Sequence, residues 1–544
     1  MTEVDTEVLV VGGGPVGLSM SIMLSLLDVD HVLIEKHAST TYHPKARNLN
    51  TRTMEIVREW GIDKEMSEVA LPETWSSSIA YCKDLVKPEL GRMKTSGFVG
   101  LGESISPAIP HLSSQDVYEP IWRRRAESLA SKSLKFGSEL KSIRLLDKSV
   151  EAEIEVADQI EAISARYLVA ADGANSFVRN TLEISMNGAR GIANFVNVYF
   201  SADLSYLVGK RPAVLFFTSE PRGVFQPLDG QKRWLCQITH LGPGNGLEEY
   251  DIATCRDWVR KATQNNELEI EILSIGTWTM NATVADKYSE RRCFLVGDSA
   301  HQLPPTGGFG ANTGIQDAHN LAWKLSLVLK GSAGESLLDT YEQERKPVAE
   351  FNAKQSLANS KVVGRITALA LKGESADQAI SDSRKYGNFA GMELGYCYES
   401  KAVISDLSDP PLVDDYVADY VATSRPGHRL PHHWVDLKQR KSTLDLANRN
   451  LVVLVDEHES RWEIESEKRI EFIVLEKTVS KAIGMPLGGC IVLRPDGHVA
   501  WRSAGVATKD LALGKIINLI LGKAVRRKRH GRNSLFRRSV SYMR

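Results

Sequence analysis

Three glycines near the N-terminus have the spacing that binds a dinucleotide phosphate. Gly12, Gly14 and Gly17 form a Gly-x-Gly-x-x-Gly turn between the apolar run Val8–Val11 and a helix-like run. In such a turn the first glycine allows the bend, the second lets the backbone approach a pyrophosphate, and the third allows helix and strand to pack closely. The free N–H groups of the helix start would bind the phosphates. The predicted cofactor contacts of this segment are Gly12, Gly14, Pro15, Val16 and Gly17.

A carboxylate follows the next strand-like run at the distance expected of a ribose ligand. Glu35 ends the run His31–Ile34 and lies 18 residues after Gly17, close to the ~20 residues typical of this carboxylate. An acid here, rather than a base, favours an adenosine ribose without a 2′-phosphate, as in FAD or NAD. The alternative is an ordinary strand, turn and helix without a ligand.

Carboxylates also follow two later strand-like runs. Asp172 and Gly173 follow one of them, and Asp298 follows Cys293–Gly297. Because ligands of α/β sheets bind at the carboxyl ends of strands, both acids are candidate ligands. The glycine-rich segment Pro304–Asn312 then leads into a helix whose N-terminal amides could stabilise negative charge. The alternative for either acid is a cap on a helix or turn.

Length and composition indicate several domains in a reducing compartment. The chain has 544 residues, 42% of them hydrophobic, a formal net charge of −1 and a pI near 6.9. No run approaches the ~18 apolar residues that span a bilayer, and the acidic N-terminus lacks the features of a signal peptide. The six scattered cysteines include neither a Cys-x-x-Cys pair nor a metal-ligand spacing. We therefore expect a cytoplasmic protein with no metal and no nucleic-acid or membrane partner.

Changes of pattern along the chain predict discontinuous domains. Residues 190–285 carry aromatic strand-like runs and turn signals, which are typical of an inserted antiparallel sheet, whereas residues 70–110 read as irregular. A long helix is expected over Asp339–Leu371 with a break at Pro347, and Arg494–Gly497 is a predicted hairpin turn. The predicted boundaries are 1–70, 111–185 and 286–345 for a nucleotide-binding domain, 71–110 and 186–285 for the inserted sheet domain, 346–425 for a helical connection, 426–525 for a third domain and 526–544 for a basic, disordered tail.

Taken together, the three separated elements resemble the single-component FAD-dependent aromatic hydroxylases, the para-hydroxybenzoate hydroxylase and phenol hydroxylase group. The elements are Gly12–Gly17 with Glu35, the Asp172-Gly173 pair, and Asp298 with the Pro-Pro-Thr-Gly-Gly-x-Gly-x-Asn segment after it. The resemblance covers about residues 5–350. It implies an α/β fold with an FAD-binding Rossmann-like domain of the glutathione-reductase type and an inserted antiparallel sheet that binds the substrate.

The region after residue 395 is similar to another part of the same family. The segments Gly395–Tyr398 and Pro426–Arg429, with the block that follows, resemble the thioredoxin-like C-terminal domain of the phenol hydroxylase branch. Because this block has no Cys-x-x-Cys pair, we expect it to serve packing or dimerisation and not dithiol chemistry.

The resemblance implies a role for each matching residue. Glu35 would bind the adenosine ribose, Asp298 the ribityl chain, and Pro305 would lie beside the substrate near the flavin. Lys45 and Arg47 are alternative cations for the diphosphate, since the family's usual Arg-Ala reads Lys45-Ala46-Arg47 here. The other implied cofactor contacts are Gln115, Arg123, Asp172, Gly173, Gly310, Ala311 and Asn312.

The implied activity is aromatic hydroxylation. NAD(P)H would reduce FAD, and the reduced flavin would react with O₂ to form a C4a-hydroperoxide that hydroxylates a phenolic or polycyclic substrate. NAD(P)H would dock transiently, and His301 is expected to pack beneath the flavin loop and not to act as a base. The candidate substrate contacts are Tyr199, Phe216, Phe225, Gln226, Trp234 and Gln237, although strand alternation turns about half of them to the other face.

Other activities remain open on sequence alone. The same flavin chemistry could carry out an epoxidation or a Baeyer–Villiger oxidation, and a flavin reductase or dehydrogenase is a more distant enzyme alternative. A flavin-binding regulator without catalysis is the non-enzyme alternative. The sequence leaves open the substrate, the choice of NADPH or NADH, and the oligomeric state, with a homodimer as one option.

Overall fold

The computed structural model describes residues 4–240, 249–447, 449–457, 470–503 and 513–523, so the predicted tail at 526–544 lies outside the described residues. The strands, numbered in chain order, are β1 (Thr6–Val11), β2 (His31–Glu35), β3 (Asn48–Leu49), β4 (Ser78–Cys82), β5 (Glu89–Lys94), β6 (His111–Leu112), β7 (Leu134–Phe136), β8 (Ser138–Leu145), β9 (Val150–Val156), β10 (Gln159–Ala170), β11 (Met186–Ser201), β12 (Leu215–Ser219), β13 (Arg222–Pro227), β14 (Arg233–His240), β15 (Glu271–Ala285), β16 (Ser289–Glu290), β17 (Cys293–Leu295), β18 (His301–Gln302), β19 (Trp434–Asp436), β20 (Lys441–Ser442), β21 (Val452–Asp456), β22 (Glu471–Leu475), β23 (Cys490–Leu493) and β24 (Val499–Arg502). The helices are α1 (Pro15–Leu26), α2 (Thr51–Glu59), α3 (Asp63–Glu68), α4 (Gln115–Ala130), α5 (Phe177–Thr181), α6 (Ser205–Val208), α7 (Ile252–Thr263), α8 (Phe309–Leu329), α9 (Thr340–Lys372), α10 (Asp377–Asp382), α11 (Ala390–Leu394), α12 (Lys477–Ala482) and α13 (Leu513–Ile520).

The glycine turn grows out of the centre of a largely parallel sheet. Its strand order is β16-β17-β10-β1-β2-β7, with β9 and β8 extending from β10 as an antiparallel arm. The run Val8–Val11 is buried throughout, as expected of a strand covered on both faces. In register, Val11 lies beside Ala170 and Ala170 beside Leu295. The carboxyl ends of β1, β10 and β17, which carry the three sequence elements, therefore meet at one edge.

A second sheet faces that edge. Its order is β18-β15-β11-β14-β13-β12-β4-β5, and its pairs are antiparallel except for the parallel pair β12–β4. The strands β4 and β5 come from the region that the sequence predicts to be irregular. That prediction is wrong for Ser78–Cys82, because this short run is buried along its whole length and pairs with β12. Its glycine-rich and proline-rich surroundings obscure it in the sequence.

Helix α9 packs against β15 and α8 and runs through Pro347 without a break. The expected interruption is therefore wrong. A proline inside a helix removes one N–H donor, and the preceding turn is held independently, because Glu344 and Arg345 are ion-paired to buried partners. The uninterrupted helix brings its C-terminal half over the space between the two sheets.

A third sheet, with the order β22-β21-β23-β24, lies in the C-terminal region. Side chains alternate across it: Val453 and Val492 join the core of the first sheet, whereas Val452 and Leu493 belong to a separate core with Leu430. This alternation fixes the sheet against the first domain. Nowhere in the described ranges does a helix have the length and apolar character needed to cross a membrane.

Candidate active site

A cavity of about 890 Å³ lies between the carboxyl edge of the first sheet and the face of the second. Its walls are the glycine turn, the segment after β17, strands β11 to β15 and the C-terminal half of α9. Of the residues that the sequence predicts for the site, those lining it are Gly14, Pro15, Val16, Lys45, Arg47, Gln115, Gly173, Gln226, Gln237, Asp298, Pro305, Gly310 and Ala311.

The three turn glycines have different surroundings. A Cβ on Gly12, whose φ is +108°, would lie 2.3 Å from the oxygen of Ala171, and a Cβ on Gly17 would lie 1.8 Å from the oxygen of Gly12. A Cβ on Gly14 would meet no atom within 4 Å. Gly12 and Gly17 are therefore required for packing, whereas Gly14 leaves open space in front of the first turn of α1. That turn contains no acidic residue, so its positive end is free to face an anion.

Glu35 lies against the glycine turn. Its carboxylate accepts a hydrogen bond from the backbone N–H of Gly13 at 2.7 Å and from that of His37 at 2.9 Å. The acid is thus fixed beside Gly13 in the glycine turn, although it does not itself line the cavity. Ribose binding by Glu35 remains a prediction.

Asp298 follows β17 and presents its carboxylate to the cavity. Within the described residues this carboxylate accepts no hydrogen bond, and the residue is exposed at the cavity. Burial raises the pKa of Asp298, while the nearby charges of His301 and Lys45 act in the opposite direction. An acceptor that lies open in such a place fits a polyhydroxyl ligand such as a ribityl chain.

The two carboxylate oxygens of Asp172 have different surroundings, so the predicted ligand role and the capping alternative each have some support. One of its oxygens accepts a hydrogen bond from the backbone N–H of Val178 at 3.0 Å and so caps α5, which is the alternative that the sequence left open. Its other oxygen, Oδ1, is buried and has no partner, and burial raises the pKa of the group. Asp172 does not line the cavity, whereas its neighbour Gly173 does.

The two candidate diphosphate cations are arranged differently. Arg47 is directed at the second sheet, because its Nε donates to Gln226 at 2.8 Å and its terminal nitrogens donate to the backbone oxygens of Pro227 and Val214. Burial lowers the pKa of Arg47 to about 10. Lys45 lines the cavity and makes no ion pair with any described residue. This geometry favours Lys45 over Arg47 as the cation for a diphosphate.

Two predicted cofactor contacts need correction. Arg123 is not brought to the cavity, because it pairs with Glu127 and its guanidinium lies 3.8 Å from the centroid of the Phe136 ring. The side chain of Asn312 is buried and fully engaged: its oxygen accepts from Asn50 and Thr53, and its nitrogen donates to two backbone oxygens. Asn312 therefore fixes the start of α2 to the start of α8, and its side chain does not line the cavity.

Strand alternation determines which of the predicted substrate contacts face the cavity. Gln226 and Gln237 face the cavity, but Phe216, Phe225 and Trp234 belong to the core on the other face of the sheet, so the predictions for these three aromatics are wrong. The prediction for Tyr199 is wrong for another reason. Tyr199 has the same strand parity as the cavity-lining Asn197, but it lies farther along β11, where its hydroxyl accepts from Arg233 at 2.8 Å.

The sequence analysis missed an aromatic pair in the cavity wall. Phe195 of β11 and Trp278 of β15 are cross-strand neighbours, and their rings stack with centroids 4.5 Å apart and planes 12° from parallel. The indole N–H of Trp278 donates to Asn197 at 2.9 Å, which fixes the ring. The alternation of β11 could have identified Phe195, but the pairing with Trp278 depends on strand register.

A second missed group comes from α9. Leu357, Ser360, Lys361, Gly364 and Thr367 line the cavity from one face of this helix. Their spacing of three and four residues is visible in the sequence, but nothing there shows which partner the face meets.

His301 lies beneath the segment that carries Asp298. It is fully buried and bonds to Asp317 at 2.7 Å, and Asp317 also accepts from Arg345 at 2.8 Å and from the backbone N–H of Gly297 at 3.2 Å. Burial alone would raise the pKa of Asp317, but His301 and Arg345 outweigh it and hold the pKa below its ordinary value. The group supports the loop from below, and its side chains do not line the cavity.

Comparison with known proteins gives consistent matches over nearly the whole chain. Residues 5–356 match the family described as FAD binding domain, and residues 423–524 match that described as aromatic-ring hydroxylase, C-terminal. The chain is 35% identical to a putative polyketide hydroxylase of Streptomyces halstedii, over 91% of this chain and 93% of that protein. It is 31% identical to the 2,4-dichlorophenol 6-monooxygenase of Delftia acidovorans, over 92% and 95%.

Solved structures show the same likeness in three dimensions. The flavin-dependent monooxygenase PieE, in complex with FAD and substrate, superposes with a TM-score of 0.88 at 29% identity, over 95% of this chain and 99% of that one. Aklavinone-11 hydroxylase, in a ternary complex with FAD and aklavinone, gives a TM-score of 0.83 at 29% identity, over 96% and 100%.

Proposed function

The chain belongs to the FAD-dependent aromatic-ring hydroxylases, and from that premise we propose that its substrate is a planar polycyclic aromatic compound. It is an FAD-dependent monooxygenase that hydroxylates aromatic rings. One of its relatives is a 2,4-dichlorophenol 6-monooxygenase, and another is a putative polyketide hydroxylase. Membership of the family therefore leaves open whether the substrate has one ring or several fused rings, and the residues that line the cavity are used to choose between them.

The residues present fit the FAD. The open space before Gly14 and the positive end of α1 suit a diphosphate, and Lys45 supplies a cation without a competing ion pair among the described residues. Glu35 would hold the ribose and Asp298 the ribityl hydroxyls, with Gly310 and Ala311 beside the flavin ring. When bound, the flavin supplies the redox chemistry that activates O₂ for transfer to the substrate.

The observation that carries the polycyclic proposal is the stacked pair Phe195–Trp278 in a cavity of about 890 Å³. The same cavity is lined by the predicted flavin contacts, so its aromatic wall, and not its total volume, is what favours fused rings. Stacking fixes the orientation of both rings, which together form a rigid aromatic wall, and aromatic rings attract one another in offset or edge-to-face contact. A fused-ring substrate has more aromatic surface to place against this wall than a single phenol ring has.

The protein's tasks are to hold the ring and to exclude water. The loop that carries Pro305 is fixed at two points: Thr306 donates to the backbone oxygen of Ser356 at 2.5 Å, and Asn48 donates to that of Gly307 at 3.3 Å. Pro305 therefore offers a rigid, apolar surface beside the substrate. Gln226 and Gln237 offer side-chain amides that can orient a ring hydroxyl.

The reductant, the role of the C-terminal region and the cellular location are part of the same proposal. NADPH or NADH acts as a transient reductant, since this class of enzyme requires one. The C-terminal region adopts a thioredoxin-like fold that serves packing and, in a homodimer, assembly. A cytoplasmic location is supported by six free cysteines, five of them buried.

The test is a substrate comparison with purified, FAD-loaded protein. NADPH oxidation is followed in air with phenol, a dihydroxynaphthalene and a hydroxylated anthraquinone, and transfer from isotopically labelled O₂ is measured by mass spectrometry. Faster NADPH oxidation and label transfer with the fused-ring compounds support the proposal. Equal or better turnover of phenol would overturn the polycyclic assignment. Product NMR separates hydroxylation from epoxidation and Baeyer–Villiger insertion.

A further inference from the structure

The charges that line the cavity are unbalanced. Among its described lining residues, Lys45, Arg47, Arg222 and Lys361 are cationic, whereas Asp298 is the carboxylate. The whole chain is nearly balanced, with 67 Lys and Arg against 68 Asp and Glu. Positive charge is therefore concentrated at this site.

The FAD accounts for only part of the excess. Its doubly negative diphosphate suits Lys45 and the helix terminus, which lie on the side of the glycine turn. Arg47 and Arg222 belong to the side of the second sheet. The hydrogen bonds of Arg47 run to neutral acceptors, namely Gln226 and two backbone oxygens, so no described carboxylate neutralises its charge.

Arg222 combines partial burial with the lack of a described partner, whereas the other unpaired cations, Lys45 and Lys361, are exposed. Arg222 is half-buried at the start of β13, and its side chain lies on the same face as Val224 and Gln226, which also line the cavity. Its guanidinium makes no hydrogen bond or ion pair with a described residue. Burial lowers the pKa of Arg222, and no neighbouring carboxylate counters that effect.

Arg233 on the adjacent strand provides an internal comparison. It is also partly buried, but it pairs with Asp116 and donates to the Tyr199 hydroxyl at 2.8 Å. These partners outweigh burial and raise its pKa. The partly buried Arg233 thus has partners that offset its burial, whereas Arg222 has none within the described residues.

Lys361 of α9 lines the same cavity and is likewise unpaired among the described residues. It follows Ser360, whose hydroxyl bonds to that of Thr306 at 2.8 Å. This bond fixes the helix turn next to the loop that carries Pro305. A second, exposed cation therefore lies on the helix face that lines the cavity.

We propose that Arg222, assisted by Lys361, binds a carboxylate carried by the aromatic substrate. This inference rests on the proposed function and narrows it from planar polycyclic compounds to those that bear an acid group. A guanidinium binds a carboxylate with two parallel hydrogen bonds, which fix orientation as well as position. Arg222 therefore acts as a positioning residue that selects which ring carbon faces the flavin.

The experiment uses the FAD-loaded protein and two probes of nearly equal shape, of which one is charged and the other neutral: hydroxynaphthoate and its amide, hydroxynaphthamide. Binding is measured from the change in the flavin absorption spectrum on titration. One charge-assisted hydrogen-bonded pair corresponds to a preference of about 10- to 100-fold. We expect the native protein to bind the carboxylate that much more tightly than the amide.

Variants identify the residue that gives the preference for the carboxylate probe over the amide. Arg222→Gln should reduce the preference to about threefold or less, Arg222→Lys should retain part of it, and Lys361→Gln should lower it by a smaller factor. Lys210→Gln removes an exposed lysine that does not line the cavity and should leave the preference unchanged. The Kd of FAD, measured for each variant, shows whether the cofactor site is intact.

Two results would overturn the proposal. One is equal binding of both probes by the native protein. The other is unchanged probe binding in Arg222→Gln with a weakened apparent Kd for NADPH in stopped-flow flavin reduction, which would assign Arg222 to the nicotinamide cofactor's phosphates. Failure of both probes to bind, together with no stimulated NADPH oxidation by any fused-ring phenol, would instead count against the proposed polycyclic substrate itself.

Discussion

The backbone oxygen of Ala171 lies 2.3 Å from the position that a Cβ on Gly12 would occupy. The ends of β1 and β10 therefore touch at a point where no side chain fits. Two residues later the situation is reversed, because a Cβ on Gly14 would meet nothing within 4 Å. The same motif thus contains one glycine needed for folding and another needed for the ligand.

This contrast gives a matched pair of variants. Gly12→Ala should lower the free energy of unfolding of the apoprotein by about 2–4 kcal/mol, since it adds a clash at a positive φ. Gly14→Ala should leave the apoprotein's stability within about 0.5 kcal/mol of the native value and weaken FAD binding at least tenfold. Thermal unfolding of the apoprotein and flavin fluorescence titration measure the two effects. Equal effects of both variants on stability would contradict this division of roles.

Asp298 should show opposite effects on stability and on cofactor binding. Asp298→Ala removes a carboxylate with a burial-raised pKa and no hydrogen bond from a described residue, so the apoprotein should be as stable as the native form or more stable. FAD binding should weaken by about 10- to 100-fold, the cost of losing charge-assisted hydrogen bonds. Asp298→Asn keeps one acceptor oxygen, so it should weaken FAD binding less than Asp298→Ala does. Undiminished FAD affinity in Asp298→Ala would remove this residue from the cofactor site.

The stacked wall predicts a loss confined to substrate binding. Trp278→Ala should weaken binding of a planar fused-ring phenol by about 5- to 10-fold, on the basis of the ~1 kcal/mol typical of aromatic pairs, while Trp278→Phe retains most of it. Trp234→Phe is the control, since Trp234 lies in the core on the opposite face of the sheet. It should change Tm and leave substrate affinity unaltered. Similar losses of affinity in Trp278→Ala and Trp234→Phe would mean that the effect is structural.

Glu393 predicts a pH dependence of stability. It is buried, accepts a hydrogen bond from the backbone N–H of Thr51 at 2.9 Å, and burial raises its pKa to about 8. Between its ordinary value of 4.5 and about 8, the folded protein holds a proton that the unfolded chain has released. Stability therefore falls as pH rises, by up to about 1.4 kcal/mol per pH unit.

Glu393→Gln isolates that contribution, because the amide cannot ionise. The difference in free energy of unfolding between Glu393→Gln and the native protein should grow in favour of the variant from pH 5 to pH 8 and then level off. Denaturant unfolding across this range measures it. A pH-independent difference would mean that the pKa of Glu393 lies outside the interval.

The C-terminal region should be essential to the first domain. Arg494 forms a bidentate pair with Glu344 of α9 at 2.7 and 2.8 Å, and Lys324 of α8 binds the same carboxylate at 2.8 Å, with all three side chains fully buried. Arg494→Met leaves buried charge uncompensated and should cost about 3–5 kcal/mol. Replacing Glu344 by Met as well should recover part of that loss. A lowered Tm monitored through bound flavin would show that both regions are affected together.

Several features were determined by the sequence alone. The motif Gly12–Gly17, the acid Glu35 and the pair Gly297-Asp298 act through local backbone geometry and short spacing, which the chain encodes directly. They predicted a dinucleotide at the carboxyl edge of the sheet, and the family resemblance that these residues carry implied the FAD and the type of reaction. The hairpin turn Arg494–Gly497 was also predicted, because its residues set their own dihedral angles.

The tertiary structure decided what depends on register and on partners distant in sequence. It turned Phe225 and Trp234 into the core and brought Phe195 and Trp278 together, since a shift of one residue in a strand exchanges its two faces. It also buried the turn at Arg494 between two helices, although turns of this composition usually lie on the surface. Local spacing determines which groups are available, whereas strand register and the packing of remote segments determine which of them share a cavity.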